Sequence, residues 1–544
     1  MRMKRCSLRI WIVPVLFLAL PASALAQEPS QQTHVSATPS HSEGAAHVLH
    51  DAVKASGGGK RLSSLRTITL EGSVAAAGGI PGGSFTLEAK LPNRYYMELA
   101  AGDRSVIEAY NGKSAWRQNA AGEIATLVGP EGLQIEAAAR YSNSHLVNFK
   151  RNRLLVTLVG AAQVRGKDAV ELEVTSLAGP KRQVYFDAQT HLVVEEAATM
   201  GGVDQKIFYA DYQPVDGVQL PRTIELQRGN DSYEIQITRA AVNDSIGERV
   251  FDFPRKSQVV LPDLKALFAE VRAKEAANEK LRQKYAGTKI ETETDVDKKG
   301  NPTKTEVTES SFFYLNGAEV DRLLKKDGQP LNAADRKAED DRVAKDVARL
   351  KADAARKKAE ELKPTASKDQ TAPADSSAKD ASSGAGDSER SDDDVKDSDF
   401  SIDTFLRVAQ FVNPRRERYQ GQDVLAFDFE PNPEYKAHGI VEKIVQKLGG
   451  VIWIDERAHD VVRLDAFLVN DMKFAGGLVA DFEKDTRVSI MNTYVNNEVW
   501  LPEFEEVRID FRLMLVKTFR IEESTKYFDY KKFDLATLDA PRKK

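Results

Sequence analysis

The sequence predicts a mainly β protein of the α+β class: two related antiparallel β domains in tandem, helices set against each, and a disordered insertion inside the second. Three observations carry this. A hairpin pattern is written twice, as Phe186-Asp187-Ala188-Gln189-Thr190-His191-Leu192-Val193-Val194 and as Ile454-Asp455-Glu456-Arg457-Ala458-His459-Asp460-Val461-Val462. Runs of period-two alternation, separated by turn residues, fill much of the rest. One long stretch, from Lys363 to Asp399, has Val395 as its only large apolar residue, too little to offset ordering entropy.

In each hairpin copy the Asp is placed to end a strand and cap the turn, the His to take a turn position that tolerates positive φ, and the Val-Val pair to start the return strand. The flanks repeat as well. Gly166-Lys167-Asp168 is echoed by Gly421-Gln422-Asp423, and Val218-Gln219-Leu220-Pro221 by Val499-Trp500-Leu501-Pro502.

Residues 1–26 have the three parts of a secretory signal: a basic start with Arg2, Lys4, Arg5 and Arg9, an apolar core from Ile10 to Leu20, and Ala24-Leu25-Ala26 before Gln27. The core is short for a membrane span and holds Pro14, with Pro21 just beyond. The expected location is therefore the periplasm, with no transmembrane segment after cleavage. The single cysteine, Cys6, would leave with the signal, which excludes cysteine catalysis, disulfide frameworks and Cys-zinc sites from the mature chain. A formal charge of −5, more acidic once the four basic signal residues are gone, speaks against nucleic acid as a partner.

Residues 27–44 read as a flexible leader containing His34 and His41, with His47 and His50 just after it; no carboxylate or Cys is placed to complete a metal site with them. The first β domain is expected over 45–254. It opens with a short helix from Ala45 to Ala55, stopped by Gly57-Gly58-Gly59. Strands follow in which Ile68, Leu70, Gly72 and Val74, then Phe85, Leu87, Ala89 and Leu91, share a face. Leu133, Ala137, Tyr141, Leu146 and Phe149 are spaced for an amphipathic helical segment. Strands resume over Arg153 to Val159, Ala169 to Thr175, the hairpin at Asp187, Lys206 to Tyr212, Thr223 to Gln227 and Tyr233 to Ala241, closing at Phe251-Asp252-Phe253-Pro254.

The stretch Gly83-Ser84-Phe85-Thr86-Leu87-Glu88-Ala89-Lys90-Leu91-Pro92, followed by Asn111-Gly112-Lys113-Ser114-Ala115-Trp116 and the terminal Phe251-Asp252-Phe253-Pro254, resembles the LolA-like periplasmic carriers of outer-membrane lipoproteins. The resemblance covers roughly residues 60–254. It implies an incomplete antiparallel β-barrel whose open side is plugged by helices and whose apolar interior takes acyl chains, with the second domain a diverged copy of similar architecture. On that reading Phe85, Leu87, Tyr96, Trp116, Leu133, Leu146 and Phe149, with Trp453 in the second copy, line an apolar cavity, and the partners are lipid or lipoprotein acyl chains and envelope membrane proteins. This sequence departs from the single-domain carriers in having a second repeat and a large insertion, and the carriers' acyl-handling Arg has no assignable counterpart.

The second β domain is expected over 255–331 and 400–533. It opens with a helix from Pro262 to about Ala286, whose Leu264, Leu267, Phe268 and Val271 form one face. Its polar face mixes Glu and Lys, unlike a basic membrane-surface helix. A charged helix over 332–362, capped by Asn332, has a narrow stripe of Val343, Val347, Leu350 and Ala354 and reads as a solvated projection, with docking or coiled-coil pairing as alternatives. The disordered linker spans 363–399. Then come strands over Thr404 to Val412 and Val424 to Phe429, a helix from Pro433 to Leu448 stopped by Gly449-Gly450, the second hairpin, and strands to Tyr527, with a tail over 534–544.

No Gly-x-Ser-x-Gly elbow, His-Glu-x-x-His helix, phosphate loop or dinucleotide fingerprint is present. Outside the N-terminal group, His145, His191, His438 and His459 remain, and two of these sit in the repeated turns. No catalytic residue, cofactor or metal site is therefore expected. The expected function is non-enzymatic carriage of lipid or lipoprotein acyl chains in the half-barrels. The alternative is an envelope structural protein with dry β cores, whose charged helix and linker recruit a partner.

Overall fold

A computed structural model describes residues 41–532 except 76–81, 177–179, 201, 255–261, 297–301, 362–401, 475–479, 485 and 514–516. The expected signal, most of the leader, the linker and the tail lie outside the described residues.

In the first half, α1 (His41–Ala55) and α2 (Gly59–Ser64) lead into β1 (Thr67–Val74), β2 (Gly83–Lys90), β3 (Arg94–Ala101), β4 (Arg104–Tyr110), β5 (Ala115–Gln118) and β6 (Ile124–Leu127). After α3 (Gly129–Ser142) come β7 (Leu154–Val164), β8 (Lys167–Ser176), β9 (Lys181–Asp187), β10 (Val193–Met200) and β11 (Val203–Ala210). A small pair, β12 (Gln213–Val215) and β13 (Val218–Leu220), precedes β14 (Thr223–Arg228) and β15 (Asp231–Val242). Thirteen of these strands form one antiparallel sheet in the order β6-β5-β4-β3-β2-β1-β15-β14-β11-β10-β9-β8-β7. The chain starts mid-sheet at β1, meanders out to β6, crosses by α3 to the opposite edge at β7, and meanders back until β15 pairs with β1. The sheet's end strands, β6 and β7, are not paired with each other, so it is open, and α3 packs over β3 to β6.

The second half repeats this plan. Its elements are α4 (Leu264–Arg282), β16 (Tyr285–Val296), β17 (Pro302–Leu315), β18 (Ala318–Lys326), β19 (Gln329–Pro330), α5 (Ala333–Glu361) and α6 (Ile402–Val408). Next come β20 (Ala409–Tyr419), β21 (Gln422–Pro431), α7 (Ile440–Val445), β22 (Leu448–Asp455) and β23 (Val461–Leu468). The last strands are β24 (Met472–Phe474), β25 (Ala480–Phe482), β26 (Arg487–Val495), β27 (Val499–Leu513) and β28 (Lys517–Lys532). The main path runs β19-β18-β17-β16-β28-β27-β26-β23-β22-β21-β20, again with first and last strands paired and the outer strands joined through helices. Both halves are thus open, helix-covered antiparallel sheets, the incomplete-barrel architecture expected from the sequence.

The two hairpins share one turn geometry. Asp187 Oδ1 accepts from the backbone N–H of Gln189 (3.0 Å) and Thr190 (2.7 Å), and Asp455 Oδ1 from Arg457 (2.7 Å) and Ala458 (2.9 Å). His191 and His459 have φ of 58° and 51°. His459 also meets Glu270 and Lys274 of α4, each at 2.8 Å, pinning the helix to the turn.

Three expectations for the second half need correction. Residues Thr404 to Val412 begin as a helix, α6, and turn to strand only at Ala409, because Phe405, Leu406 and Val408 pack into a core with Leu267 and Val271 of α4. The helix before the second hairpin is confined to α7, and Gly449-Gly450 belongs to β22. A Cβ on Gly450 would meet the Asp465 carbonyl oxygen at 1.9 Å, so the glycine permits a close strand approach. The charged helix α5 does not project free of the sheet: Val343, with Val347 and Leu350, packs on Leu315 and Val320.

Strand β22 is buried along its whole length because a layer covers each face. One face, with Ile452 and Ile454, packs under α4, α6 and α7. The other, with Val451 and Trp453, joins Val424, Ala426 and Trp500 and meets Val128 of the first half. Around that contact lies a buried polar joint. Asp428 accepts from Asn111 Nδ2 (2.8 Å), Ser114 Oγ (2.8 Å), Asn413 Nδ2 (3.0 Å) and Arg415 Nη1 (3.0 Å). Burial would raise the Asp428 carboxyl, but Arg415 and the neutral donors hold it below the usual carboxylate range. Nearby, Glu136 of α3 binds Arg140 and, at 2.7 Å, Arg487 of β26. Burial opposes its ionisation, yet the two guanidinium groups hold it at about 2.

Candidate functional site

The site begins where the first sheet parts. Strands β9 and β10 pair only as far as Gln183 and Ala197, whereas β10 stays with β11 to Met200–Val203 and β9 stays with β8 to Lys181–Thr175. The splayed strand ends leave a groove of about 520 Å³, within the range of small-molecule sites. Pro130, Leu133 and Gln134 of α3 form one wall, Pro180, Lys181 and Gln183 another, and Ala197 to Thr199 with Asp204 to Lys206 a third; Arg508 of β27 reaches in from the second half. Pro130 lies in the first turn of α3, where a missing N–H costs nothing.

The lining is mixed. Leu133 is buried, and Pro130, Pro180, Ala197 and Ala198 add apolar surface. Gln205 is 6% exposed, and its Oε1 has no hydrogen-bond partner among the described residues. Three cations lie in the walls. Lys181 pairs with Glu173 at 3.0 Å, Lys206 with Glu195 at 3.2 Å, and Arg508 with Glu506 at 2.8 Å.

Of the eight residues expected to line an apolar cavity, Leu133 lies in this groove. Phe85 is buried in the main core of the first half, with Leu87 against it. Trp116 is buried, donates from Nε1 to the Phe251 carbonyl at 2.8 Å, and packs beside Tyr96 and Phe253. Phe149, with Leu146 against it, belongs to a second cluster under α1. Trp453 sits at the contact between the halves, donating to Glu417 at 3.1 Å. The structure therefore does not gather the eight in one place. Most of the groove's other lining residues are Gln, Lys, Thr, Ala and Pro around a break in strand pairing, for which the sequence carries no periodic signal.

The second half differs inside. Where its sheet continues past the α6 and α7 core, buried Lys289 binds Glu319 (3.1 Å) and Glu291 (3.2 Å), and Tyr527 donates to buried Glu505 at 3.0 Å. Burial would lower Lys289, but Glu319 and Glu291 override it and hold the ammonium charged. Burial pushes Glu505 up to about 8 and Glu523 up to about 7, the latter with Glu291 and Glu293 adding repulsion. This polar wall is unsuited to an acyl chain.

The histidines form no catalytic set among the described residues. His145 is buried with both ring nitrogens unpartnered there, and burial lowers it to about 4, so it is neutral at pH 7. Nor does any group of three or more His, Cys, Asp and Glu there have the placement to hold a metal ion.

No family model matches the chain, and no curated protein matches it. Among solved structures it is similar to a DUF1329 family protein from Desulfovibrio piger at 14% identity, with 38% of this chain and 97% of that chain covered and a TM-score of 0.26. It is similar to a LolA superfamily protein from Nitrosomonas europaea at 12% identity, covering 38% and 96%, also at 0.26. The MucA/MucB complex of Pseudomonas aeruginosa matches over 90% of this chain and 99% of that one, at 9% identity and a TM-score of 0.16. Strand order and register define the fold.

Proposed function

We propose that this protein is a non-enzymatic carrier of the bacterial envelope that takes lipid or lipoprotein acyl chains into the groove of its first half. The observation that carries the reading is the parting of β9 from β10 beside Leu133, which leaves a groove where Leu133, Pro130, Pro180, Ala197 and Ala198 offer apolar surface to a chain. About ten buried methylenes would contribute about 8 kcal/mol, enough for micromolar binding without covalent chemistry. Among the described residues no helix is long and apolar enough to cross a membrane. The signal-like N-terminus supports export to the periplasm, where donor and acceptor membranes would exchange chains with the groove by partition.

A second reading is favoured by one observation. Phe85, Phe149 and Trp453 lie in closely packed clusters, and Trp116 is buried beside Tyr96 and Phe253, as they would be in an envelope structural protein with dry cores. Mass spectrometry of protein isolated from its native envelope, with titration of a fluorescent acyl probe, separates the two. The carrier reading expects co-purified lipid and saturable probe binding that Ala198→Trp abolishes. No lipid and no binding would leave the structural reading.

A further inference from the structure

We propose that the second half of the chain gates the groove, with Arg487 as a positioning residue that acts through Glu136 to hold α3 closed as the groove wall. The inference rests on the carrier reading and adds a control to it. Helix α3 gives the groove Pro130, Leu133 and Gln134, while its Ile135, Ala138 and Ala139 pack into the main core of the first half. A helix that only plugged an open sheet would turn its charged face to water. Here Glu136 and Arg140 are 3% and 6% exposed, and Arg487 of the second half meets that face. Glu136 follows Leu133 by three positions, which makes them neighbours on the helix surface, so whatever holds its carboxylate also fixes the wall.

The second half grips this stretch at three places. Before the helix, Val128 packs against the cluster of Trp453 and Trp500. Within it, Arg487 Nη2 of β26 donates to Glu136 Oε2 at 2.7 Å, with the guanidinium 5.3 Å from the centre of the Phe467 ring. After it, Arg153 donates at 2.9 Å to Glu483, in the connection between β25 and β26. The middle hold is one that can be released and remade. Arg140 lies one turn on along the same helix and donates to Glu136 Oε1 from Nε (3.0 Å) and Nη2 (2.8 Å), so its charge travels with the carboxylate. When α3 parts from β26, Glu136 keeps this partner, and the Arg487 side chain, already 15% exposed, turns to water. One charge-assisted hydrogen bond then separates the closed wall from the parted one, a factor of about ten or more in their equilibrium.

The test uses the full mature chain and a dansyl-labelled undecanoic acid near neutral pH, following stopped-flow uptake of the probe and hydrogen exchange of the α3 amides. Arg487→Gln should speed uptake and release by about tenfold, leave the affinity within about threefold, and raise exchange across residues 129–142 by about tenfold. Arg487→Lys, which keeps a charged donor, should restore part of the hold. Glu483→Gln removes a more exposed partner and should act in the same direction by about threefold; it decides the matter if Arg487→Gln does not fold. Unchanged uptake and unchanged α3 exchange overturn the gate and leave the carrier reading intact. Exchange that rises equally over β1 to β6 also overturns it, as the mark of a merely structural pair. If no form of the protein binds the probe, the carrier reading falls and the gate with it.

Discussion

Replacing Asp428 by alanine tests whether the two halves are held by the buried polar joint or merely lie beside each other. The carboxylate is fully buried and accepts from Asn111, Ser114, Asn413 and Arg415. Its loss strands a guanidinium that is itself 5% exposed. Removing one member of a buried pair costs about 3–5 kcal/mol, and because Arg415 keeps Glu417 at 2.8 Å the lower end, about 3 kcal/mol, is expected. Urea unfolding followed by tryptophan fluorescence reads the change, since Trp116 reports on the first half and Trp453 and Trp500 on the second. Asp423→Ala, at the exposed start of β21, is the control and should change stability by less than about 0.5 kcal/mol. The folded-state pKa of Asp428 lies below the ordinary value of 3.8, so its contribution is fully present above that value and is lost as the pH falls through the folded pKa. The Asp428→Ala deficit should therefore be constant from about pH 5 to about pH 8. A midpoint for Asp428→Ala equal to that of Asp423→Ala would refute the joint as a source of stability.

Two further perturbations probe buried groups on either side of that joint. Glu505 is raised to about 8 in the folded state, so the native protein holds a proton that the unfolded chain releases, and stability should fall as pH rises from about 4.5 to 8, with a slope of about 1.4 kcal/mol per pH unit for one proton. Glu505→Gln keeps an acceptor for Tyr527, so in urea titrations between pH 5 and 8 it should remove about 1.4 kcal/mol per pH unit of slope, leaving the part Glu523 adds below about 7, and stabilise the protein at pH 8; an unchanged slope would place the proton elsewhere. Trp116→Phe keeps most of the packing but leaves the Phe251 carbonyl without its donor, and chemical denaturation should show a loss of about 1–3 kcal/mol, against no loss if the indole N–H is immaterial.

The strand framework was legible from the sequence because it obeys local rules. Alternation placed Leu70, Val74 and Phe85 in one core, and the Asp187 and Asp455 turns follow from side-chain capping and a positive φ at His191 and His459. Asn332 capped α5 as its position implied, accepting from the Asp335 N–H at 2.9 Å. What sequence could not place depends on contacts distant along the chain. Phe405 and Val408 suit strand or helix, and only the arrival of α4 decides for helix. Asn111 and Ser114 read as hairpin-turn residues, yet their free donors are spent on Asp428, more than three hundred residues away. The groove follows from where β9 and β10 stop pairing, and nothing in Gln183, Ala197 or Gln205 announces that break.

Each half joins its two runs of strands mid-sheet by pairing its first strand with its last: β1 with β15, and β16 with β28. This pairing sets an order of assembly. Whichever way the polypeptide emerges, from a ribosome or through an export pore, β16 must wait for Lys517–Lys532 before it gains its second neighbour. Until then one long side of β16 has an unsatisfied row of backbone donors and acceptors, the kind of edge that recruits other chains. Contacts this remote make folding slow, since the loop must close before any bond rewards it. The first half, with its closing strand ending at Val242, can complete its sheet far earlier and present Asn111, Ser114 and Val128 as a finished surface on which the later half condenses. A chain cut short before β28 would leave that first unit intact and the second an aggregation hazard.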